Sequence, residues 1–384
     1  DSHLQNYVPI PLVPNIPFCN SKCNYCAFVS QVASDEMKEQ YVEALIKEIV
    51  MRSKTYGANT EITTIYIGGG TPSSLPLGAV KKIMSAIYNN FVVCNDAEIT
   101  IEINPNTLTK EKADEYMSCN ISRFSIGLQM AQSRLLSIIG RTHKYLDFKN
   151  SVLLLQNAGA TNISADIMLG LPTQTKEDII ETIKLIDGLN VKHISAYMLS
   201  IEEGTKFFKM LQNNELNLPT EKQTIEMYYT AYKELKKRGY TRYEFSNFAK
   251  VGYKSKHNTV YWERKEYLGL GVSAHSFVDG YRMANTDSIP NYLVHIQKNE
   301  IPLECKDLLN ETDTKEETIM LSLRLAEGID LTKYQAQFNS SLLQEKKEEI
   351  DLLIKNRFLS LEDNHLKATN EGFMVLDKII SILV

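Results

Sequence analysis

Residues 16–28 read Ile-Pro-Phe-Cys-Asn-Ser-Lys-Cys-Asn-Tyr-Cys-Ala-Phe and set three thiols, Cys19, Cys23 and Cys26, in a C-x3-C-x2-C spacing. The run Val8–Ile16 before them is apolar enough for a strand, so the thiols fall on a tight loop at its end. Thiolates grouped in this way are the ligands that iron-sulfur clusters use. A 4Fe-4S cube has four irons, and three local thiolates leave one iron open to a chelating ligand. Zinc is the rival metal, but a structural zinc site closes on four ligands. No His or Cys lies between Cys26 and Cys94 to supply a fourth nearby.

Outward from this loop, short β-branched runs alternate with longer stretches of helical period, the mark of βα units around a parallel sheet. The strand candidates are Val8–Ile16, Thr63–Ile67, Glu98–Ile103, Ser122–Leu128, Asn162–Leu169 and His193–Leu199. Helices are expected near 36–53, 78–90, 109–118, 145–158 and 175–188, several after a Ser, Thr or Asn suited to the N-cap. Six strands with crossover helices predict an α/β fold, a partial (β/α)6 TIM-like barrel smaller than the closed eight-stranded form. A helix near 219–237 follows, then a short run at 240–245 and a loop rich in aromatic and basic residues to about 266. Ser276–Asn285 is expected as a hairpin turning at Asp279-Gly280. Helices at 316–326, 331–339 and 342–355, a strand pair about Asp363-Asn364 and a last helix predict a C-terminal winged-helix-like α+β domain. The expected division is 4–215 for the core barrel, 216–300 for an extension and 301–384 for the C-terminal domain. Asp1-Ser2-His3 is set aside as a remnant of cloning.

Polar groups recur where such a barrel has its working edge. Ile65-Tyr-Ile-Gly-Gly-Gly-Thr-Pro-Ser73 follows the second strand, and its glycines bring backbone close to a ligand while offering N–H donors. Taken alone, that turn is an ordinary strand-to-helix connection. Glu102, Gln129 and Asp166 fall at the C-terminal ends of predicted strands, the edge that faces the site in parallel βα folds. Arg141 lies between two predicted helices, and its planar fork suits a carboxylate.

Over the whole chain of 384 residues, 43% are hydrophobic and 23% charged, the composition of a globular protein rather than a disordered or fibrous one. A net charge of -5 gives no global pull toward phosphate, so nucleic acid is not expected as a partner. Six cysteines are too few for a disulfide scaffold at this length. Cys94, Cys119 and Cys305 are expected as small buried apolar residues. No apolar run reaches the roughly 18–20 residues of a membrane span and no signal peptide opens the chain, so a cytoplasmic location is expected.

With Tyr25 before the last cysteine, the C-x3-C-x2-C loop resembles the radical S-adenosylmethionine (SAM) superfamily. The resemblance implies that Cys19, Cys23 and Cys26 hold a 4Fe-4S cluster whose open iron is chelated by the amino and carboxylate groups of SAM. The reduced cluster would then break a sulfur-carbon bond of SAM, giving methionine and a 5'-deoxyadenosyl radical. It further implies that Tyr25 packs near the adenine and that Gly69, Gly70 and Thr71 bind SAM. Glu102, Gln129, Arg141 and Asp166 match SAM-contacting positions of the coproporphyrinogen III oxidase-like branch, whose members hold one or two SAM molecules.

Tyr243–Trp262 and Tyr267–Ser276 resemble the HemN/HemW family of that branch, nearest its heme-chaperone group, as do Thr314–Gly328 and Leu366–Leu383. His257-Asn-x-x-Tyr-Trp262 matches the heme-associated motif, which implies His257 as a heme contact; on composition alone His257 is a structural loop residue. The implied activity is delivery of heme to a membrane-bound respiratory acceptor, with an electron donor as a further partner. The alternatives are an oxygen-independent coproporphyrinogen III dehydrogenase, a HemN-like methyltransferase and, more remotely, a zinc-dependent nucleic-acid-binding module. The decarboxylating oxidase carries a further Cys where this chain has Phe28. Val13, Asn15 and Met130 also depart from the residues usual in the heme-chaperone group.

Overall fold

The computed structural model describes residues 8–57 and 60–384, so Asp1–His3 and the start of the core at residue 4 lie outside it. The first half runs β1 (Val8–Pro9), β2 (Leu12–Ile16), α1 (Asp35–Tyr56), β3 (Thr60–Gly69), α2 (Ala79–Asn90), β4 (Val92–Ile103) and α3 (Lys110–Ser118). It continues with β5 (Arg123–Gln129), α4 (Ser133–Ile138), α5 (Tyr145–Asn157), β6 (Ile163–Leu169), α6 (Lys176–Asp187) and β7 (His193–Met198). Strands β2 to β7 pair in chain order and all in parallel, which is the expected partial (β/α)6 barrel.

Alternation along the strands explains how the sheet is covered. Ile99, Ile101, Ile103, Phe124, Ile126 and Leu128 occupy every second place and pack beneath the helices in one continuous core. The helices meet them with Leu45, Ile49, Ile83, Ile87, Ile179 and Ile183, all fully or almost fully buried. Local signals fix where the helices begin. Ser34, Thr109 and Thr175 accept the N–H of the third helical residue at α1, α3 and α6, each worth about 1 kcal/mol. The intervening strand residues, among them Thr64, Glu98, Arg123, Ser125 and Ser164, are polar and occupy the other, concave face.

Beyond β7 come α7 (Lys206–Gln212), α8 (Glu221–Lys237), β8 (Thr241–Arg242), β9 (Asn247–Ala249), α9 (Lys256–Trp262) and β10 (Leu268–Leu270). The stretch expected as loop to residue 266 thus contains a strand and a helix. β9 joins β7 antiparallel and β8 joins β9, while β10 joins β2 in parallel at the opposite edge. Three strands of the expected extension therefore belong to the same sheet as the core.

The hairpin β11 (His275–Val278) and β12 (Tyr281–Asn285) turns at Asp279-Gly280, and after α10 (Ile289–Gln297) the strand β13 (Leu303–Leu308) completes a small antiparallel sheet. Asp279 and Gly280 both have positive φ, as such a tight hairpin requires. The rest comprises α11 (Glu311–Ser322), β14 (Ile329–Asp330), α12 (Leu331–Phe338), α13 (Leu342–Glu345), α14 (Lys347–Lys355), β15 (Leu359–Glu362), β16 (His365–Ala368), α15 (Asn370–Phe373) and α16 (Leu376–Leu383). Its sheet, β14-β16-β15, and a hydrophobic core of its own give the winged-helix-like arrangement. Cys119 is buried and Cys94 half-buried, but Cys305 is exposed on β13, against the expectation for a small apolar residue. No helix among the described residues is long and apolar enough to cross a membrane.

Ile126 on β5 has no exposure. Ile126→Ala is expected to lower unfolding stability by about 2–5 kcal/mol. Val251→Ala, at a position 93% exposed, should stay within about 0.5 kcal/mol of the parent in the same denaturant titration.

Candidate functional site

The cysteine loop leaves the C-terminal end of β2 and is braced from three sides. Cys19 N–H donates to the Gln31 carbonyl at 3.0 Å, closing the loop on itself. Asn24 donates through its backbone to Ile139 (3.0 Å) and through its side chain to Ile138 (2.8 Å), which ties the loop to the turn after α4. The Asn24 carbonyl in turn accepts from Phe207 on α7 at 2.8 Å. All three thiols remain partly exposed at the surface of this frame. Burial pushes the Cys23 thiol up, the Arg141 guanidinium pulls it down, and Cys26 and Cys19 push it further, so the three sulfurs feel one another's charge. No three His, Cys, Asp or Glu side chains among the described residues converge on a point that one ion could occupy. A cube does not ask for that convergence, because each cysteine binds a different iron.

The glycine turn after β3 differs from its expected role. A Cβ on Gly70 would lie 2.7 Å from the Phe18 carbonyl oxygen and 3.1 Å from Cys19 Sγ, so this glycine lets the cysteine loop press onto the turn. Gly69, at φ +111°, has Asn15 where a side chain would go. Their N–H groups are spent within the protein: Gly70 donates to Ile16 (2.8 Å) and Gly69 to Glu102 Oε2 (3.1 Å). The turn therefore offers no unobstructed pair of N–H donors. Thr71 meets the loop through Oγ1, 3.3 Å from Cys19 Sγ.

Around the same opening stand the polar ends of the next strands. Glu102, at the end of β4, accepts from the Tyr66 hydroxyl at 2.8 Å as well as from Gly69. Burial raises its carboxyl to about 7, opposed by the Tyr66 hydrogen bond and reinforced by the charge of Asp166. Asp166, at mid-strand in β6, accepts from Ser125 at 3.1 Å; burial raises it too, against the Ser195 hydrogen bond and the charge of Arg123. Gln129 ends β5 at a register shift and holds φ at +67°, a left-handed conformation worth about 1–3 kcal/mol of strain in a residue with a side chain. A Cβ on Gly127 would lie 3.0 Å from the Gln129 amide and 3.5 Å from Arg141 Nη2, which sets these two groups side by side. Arg141 Nη2 donates to the Tyr25 hydroxyl at 3.0 Å, while its buried Nε has no partner in the protein. The structure thus brings Tyr25, Gly69, Gly70, Thr71, Glu102, Gln129 and Arg141 to the cysteine side of the barrel mouth, while Asp166, expected at a strand's C-terminal end, lies at mid-strand on the concave face.

His257 is placed differently. It lies in α9 rather than in a loop, 1% exposed, beneath the barrel's concave face. Its Nδ1 is 2.6 Å from Thr64 Oγ1 and its Nε2 is 2.9 Å from the Tyr261 hydroxyl. Burial lowers its pKa to about 3, with the Arg123 charge acting in the same direction, so the ring is neutral at pH 7. Both ring nitrogens lie within hydrogen-bond distance of protein groups, Thr64 and Tyr261. Glu98 holds the helix in place by accepting from Ser255 Oγ (3.2 Å) and from the N–H groups of Lys256 (3.1 Å) and His257 (3.0 Å).

Residues that sequence reasoning passed over complete the concave face. Tyr66, Glu98, Arg123, Ser125, His193 and Ser195 carry its hydrogen bonds and charges. The available signal was the period of two, which puts Thr64 and Tyr66 on the face of Gly68 and puts Glu98 on that of Glu102.

A carboxyl raised in the folded state from its usual 4.5 to about 7 binds a proton that the unfolded chain has released, so it lowers stability as pH climbs through that window. Glu102 is therefore expected to cost at most about 3 kcal/mol between pH 5 and about pH 7.5. In urea titrations at several pH values, Glu102→Gln should lack this part of the pH dependence. An unchanged dependence would contradict the burial assigned to this carboxyl.

Comparison with known proteins bears on the same residues. The profile of the Radical SAM superfamily matches residues 13–186, and that of the HemN C-terminal domain matches residues 309–375. The heme chaperone HemW of Bacillus subtilis is 33% identical, over 85% of this chain and 86% of that protein. The heme chaperone HemW of Lactococcus lactis is 32% identical, over 94% of this chain and 93% of its own length. The solved structure of the Escherichia coli coproporphyrinogen III oxidase HemN superposes with a TM-score of 0.86 at 21% identity, covering 98% of this chain and 90% of that one, a likeness of fold. The chain belongs to the radical SAM superfamily, in the HemN/HemW family, and that membership carries a 4Fe-4S cluster and SAM as its cofactors.

Proposed function

We propose that Cys19, Cys23 and Cys26 ligate the cluster, that the residues gathered at the barrel mouth bind SAM, and that the protein is a heme chaperone which hands heme to a membrane-bound respiratory acceptor. One observation carries the cofactor part: the thiol loop is pressed onto the Gly70-Thr71 turn, with Cys19 Sγ 3.3 Å from Thr71 Oγ1, at the mouth where Glu102, Arg141 and Gln129 converge. Three thiolates, with no further His or Cys in the sequence between Cys26 and Cys94, suit a cube with an open iron. When bound and reduced, the cluster supplies the electron that cleaves the sulfonium of SAM, and an electron donor is a required partner.

The chain's own residues provide complementary ends for such a ligand. A SAM amino group is cationic and needs acceptors, and Glu102 has lone pairs beyond those that Tyr66 and Gly69 engage. A SAM carboxylate needs donors, and Arg141 has an unpartnered buried Nε. Tyr25, held by Arg141, presents an aromatic ring beside the thiols for an adenine to pack on. The expected divisions at 215 and 300 each fall across a sheet, because β8, β9 and β10 extend that of the barrel and β13 pairs with β12.

The heme part is supported by the relatives named heme chaperone, which align over most of the chain. Heme ligation through His257 requires its contact with Thr64 or with Tyr261 to give way.

Anaerobic reconstitution is expected to give about four irons and four sulfides per chain. The triple Cys19→Ala, Cys23→Ala, Cys26→Ala variant should retain neither; equal iron and sulfide in the variant would overturn the cluster assignment. Hemin added to the parent should give a saturable Soret band, and the loaded protein should pass its pigment to an apo-cytochrome. A band that grows without saturation would remove the chaperone reading and leave the cluster untouched.

A further inference from the structure

The motif helix α9 is buried under the barrel, and the function proposed above gives it no task. Its best-defined contact runs upward. The His257 ring stacks on the Tyr66 ring with centroids 5.0 Å apart and an interplanar angle of 29°. Tyr66 donates its hydroxyl to Glu102 Oε1 at 2.8 Å, and Glu102 Oε2 accepts from Gly69 N–H at 3.1 Å. A line of direct contacts therefore leads from the helix to the glycine turn on which the cysteine loop rests.

Each link in that line is itself constrained. Thr64 and Tyr261 hold the two edges of the imidazole, and the Tyr261 ring packs edge-on against Tyr267 at 4.8 Å. Glu98 fixes the helix N-terminus to β4, the same strand that presents Glu102 four residues later. The imidazole has no freedom to turn, so its flat face is a fixed wall for Tyr66.

We propose that His257 and Tyr66 are positioning residues for SAM: the buried imidazole holds the Tyr66 ring, and Tyr66 aims the Glu102 carboxylate at the amino group of the cofactor. The inference rests on the reading that Glu102 contacts SAM. The heme-associated motif then acts on the SAM site from beneath the barrel.

The relay has a pH signature, because the Tyr66 hydrogen bond favours the ionised carboxylate. Glu102 also faces Asp166 from β6 and Arg123 from β5, which act on it in opposite senses and are untouched by a change at Tyr66. Tyr66→Phe keeps the ring and removes only the hydroxyl. It should raise the Glu102 pKa and move the acidic limb of SAM affinity to higher pH.

The test uses the cluster-loaded chain and reads the SAM dissociation constant from the change in the EPR spectrum of the reduced cluster, at several values between about pH 6 and 9. Tyr66→Phe is expected to weaken SAM binding about tenfold near neutral pH, the worth of a hydrogen bond to a charged group. The deficit should shrink as pH rises, with iron content as in the parent. His257→Asn should weaken binding as well, and the double variant should be no weaker than Tyr66→Phe alone, because both act through one hydroxyl. If His257→Asn does not fold, the Tyr66→Phe profile decides by itself. Parent-like affinity at every pH in Tyr66→Phe, or additive losses in the double variant, would overturn the relay. Unchanged affinity in Glu102→Ala would instead remove the SAM reading on which the relay rests.

Discussion

The hydrogen bonds that satisfy a polar barrel interior are the constraint from which the rest of this structure follows. Strands β3 to β7 alternate apolar residues under the helices with polar residues on the concave face, and a buried polar atom without a partner costs about 1–3 kcal/mol. Register meets much of that demand, leaving Arg123 Nε and Nη1 and Thr100 Oγ1 without partners among the described residues. Ser125 lies beside Ser164, and Asp166 beside Ser195, so hydroxyls and carboxylates of neighbouring strands fall within reach. Ser125 bonds Asp166, Ser164 bonds His193, and His193 reaches Arg123 and Tyr243. A slip of one residue would exchange the two faces, putting Ile101 and Phe124 in the barrel and Glu102 and Arg123 under the helices. The same pairing that stabilises the sheet thus sets Glu102 and Asp166 on one concave face.

A second consequence concerns closeness. The cysteine loop and the glycine turn touch through backbone, and a side chain at Gly70 would occupy the place of the Phe18 carbonyl and the Cys19 sulfur. Glycine here serves contact between two protein segments, and in the proposed reading the ligand-facing chemistry falls to Glu102, Arg141, Gln129 and Tyr25. Gln129 in its left-handed conformation and Arg141 Nε, without a partner among the described residues, both lie in this region.

Much of this was legible in the sequence because it depends on local pattern. Cysteine spacing, the strands and the crossover helices are all encoded within short windows, and most ends moved by only a few residues; the exceptions are β4, which begins at Val92 rather than Glu98, and the expected strand Val8–Ile16, which is split into β1 and β2. Glu102 and Gln129 followed from the rule that parallel strands work at their C-terminal ends, whereas Asp166 lies at mid-strand. What could not be read depends on partners far along the chain. Helix α9 was expected as loop because its N-terminal groups are satisfied by Glu98, 159 residues before His257, and the partner of the His257 ring, Thr64, is more distant still at 193. β10 joins β2 across the whole barrel and left only a short apolar run as its local signal. The glycine N–H groups looked free for the same reason: Glu102 and Ile16 claim them only once the strands have paired.

The central claim is a three-thiolate cube whose fourth iron receives SAM at the mouth formed by these strand ends. Electron-nuclear double resonance on the reduced cluster, with SAM carrying 15N in its amino group, tests it most directly. The account requires a 15N coupling strong enough to mark direct ligation to iron, present in the parent chain and absent without SAM. A reduced cluster whose spectrum shows no nitrogen coupling with saturating labelled SAM would contradict it.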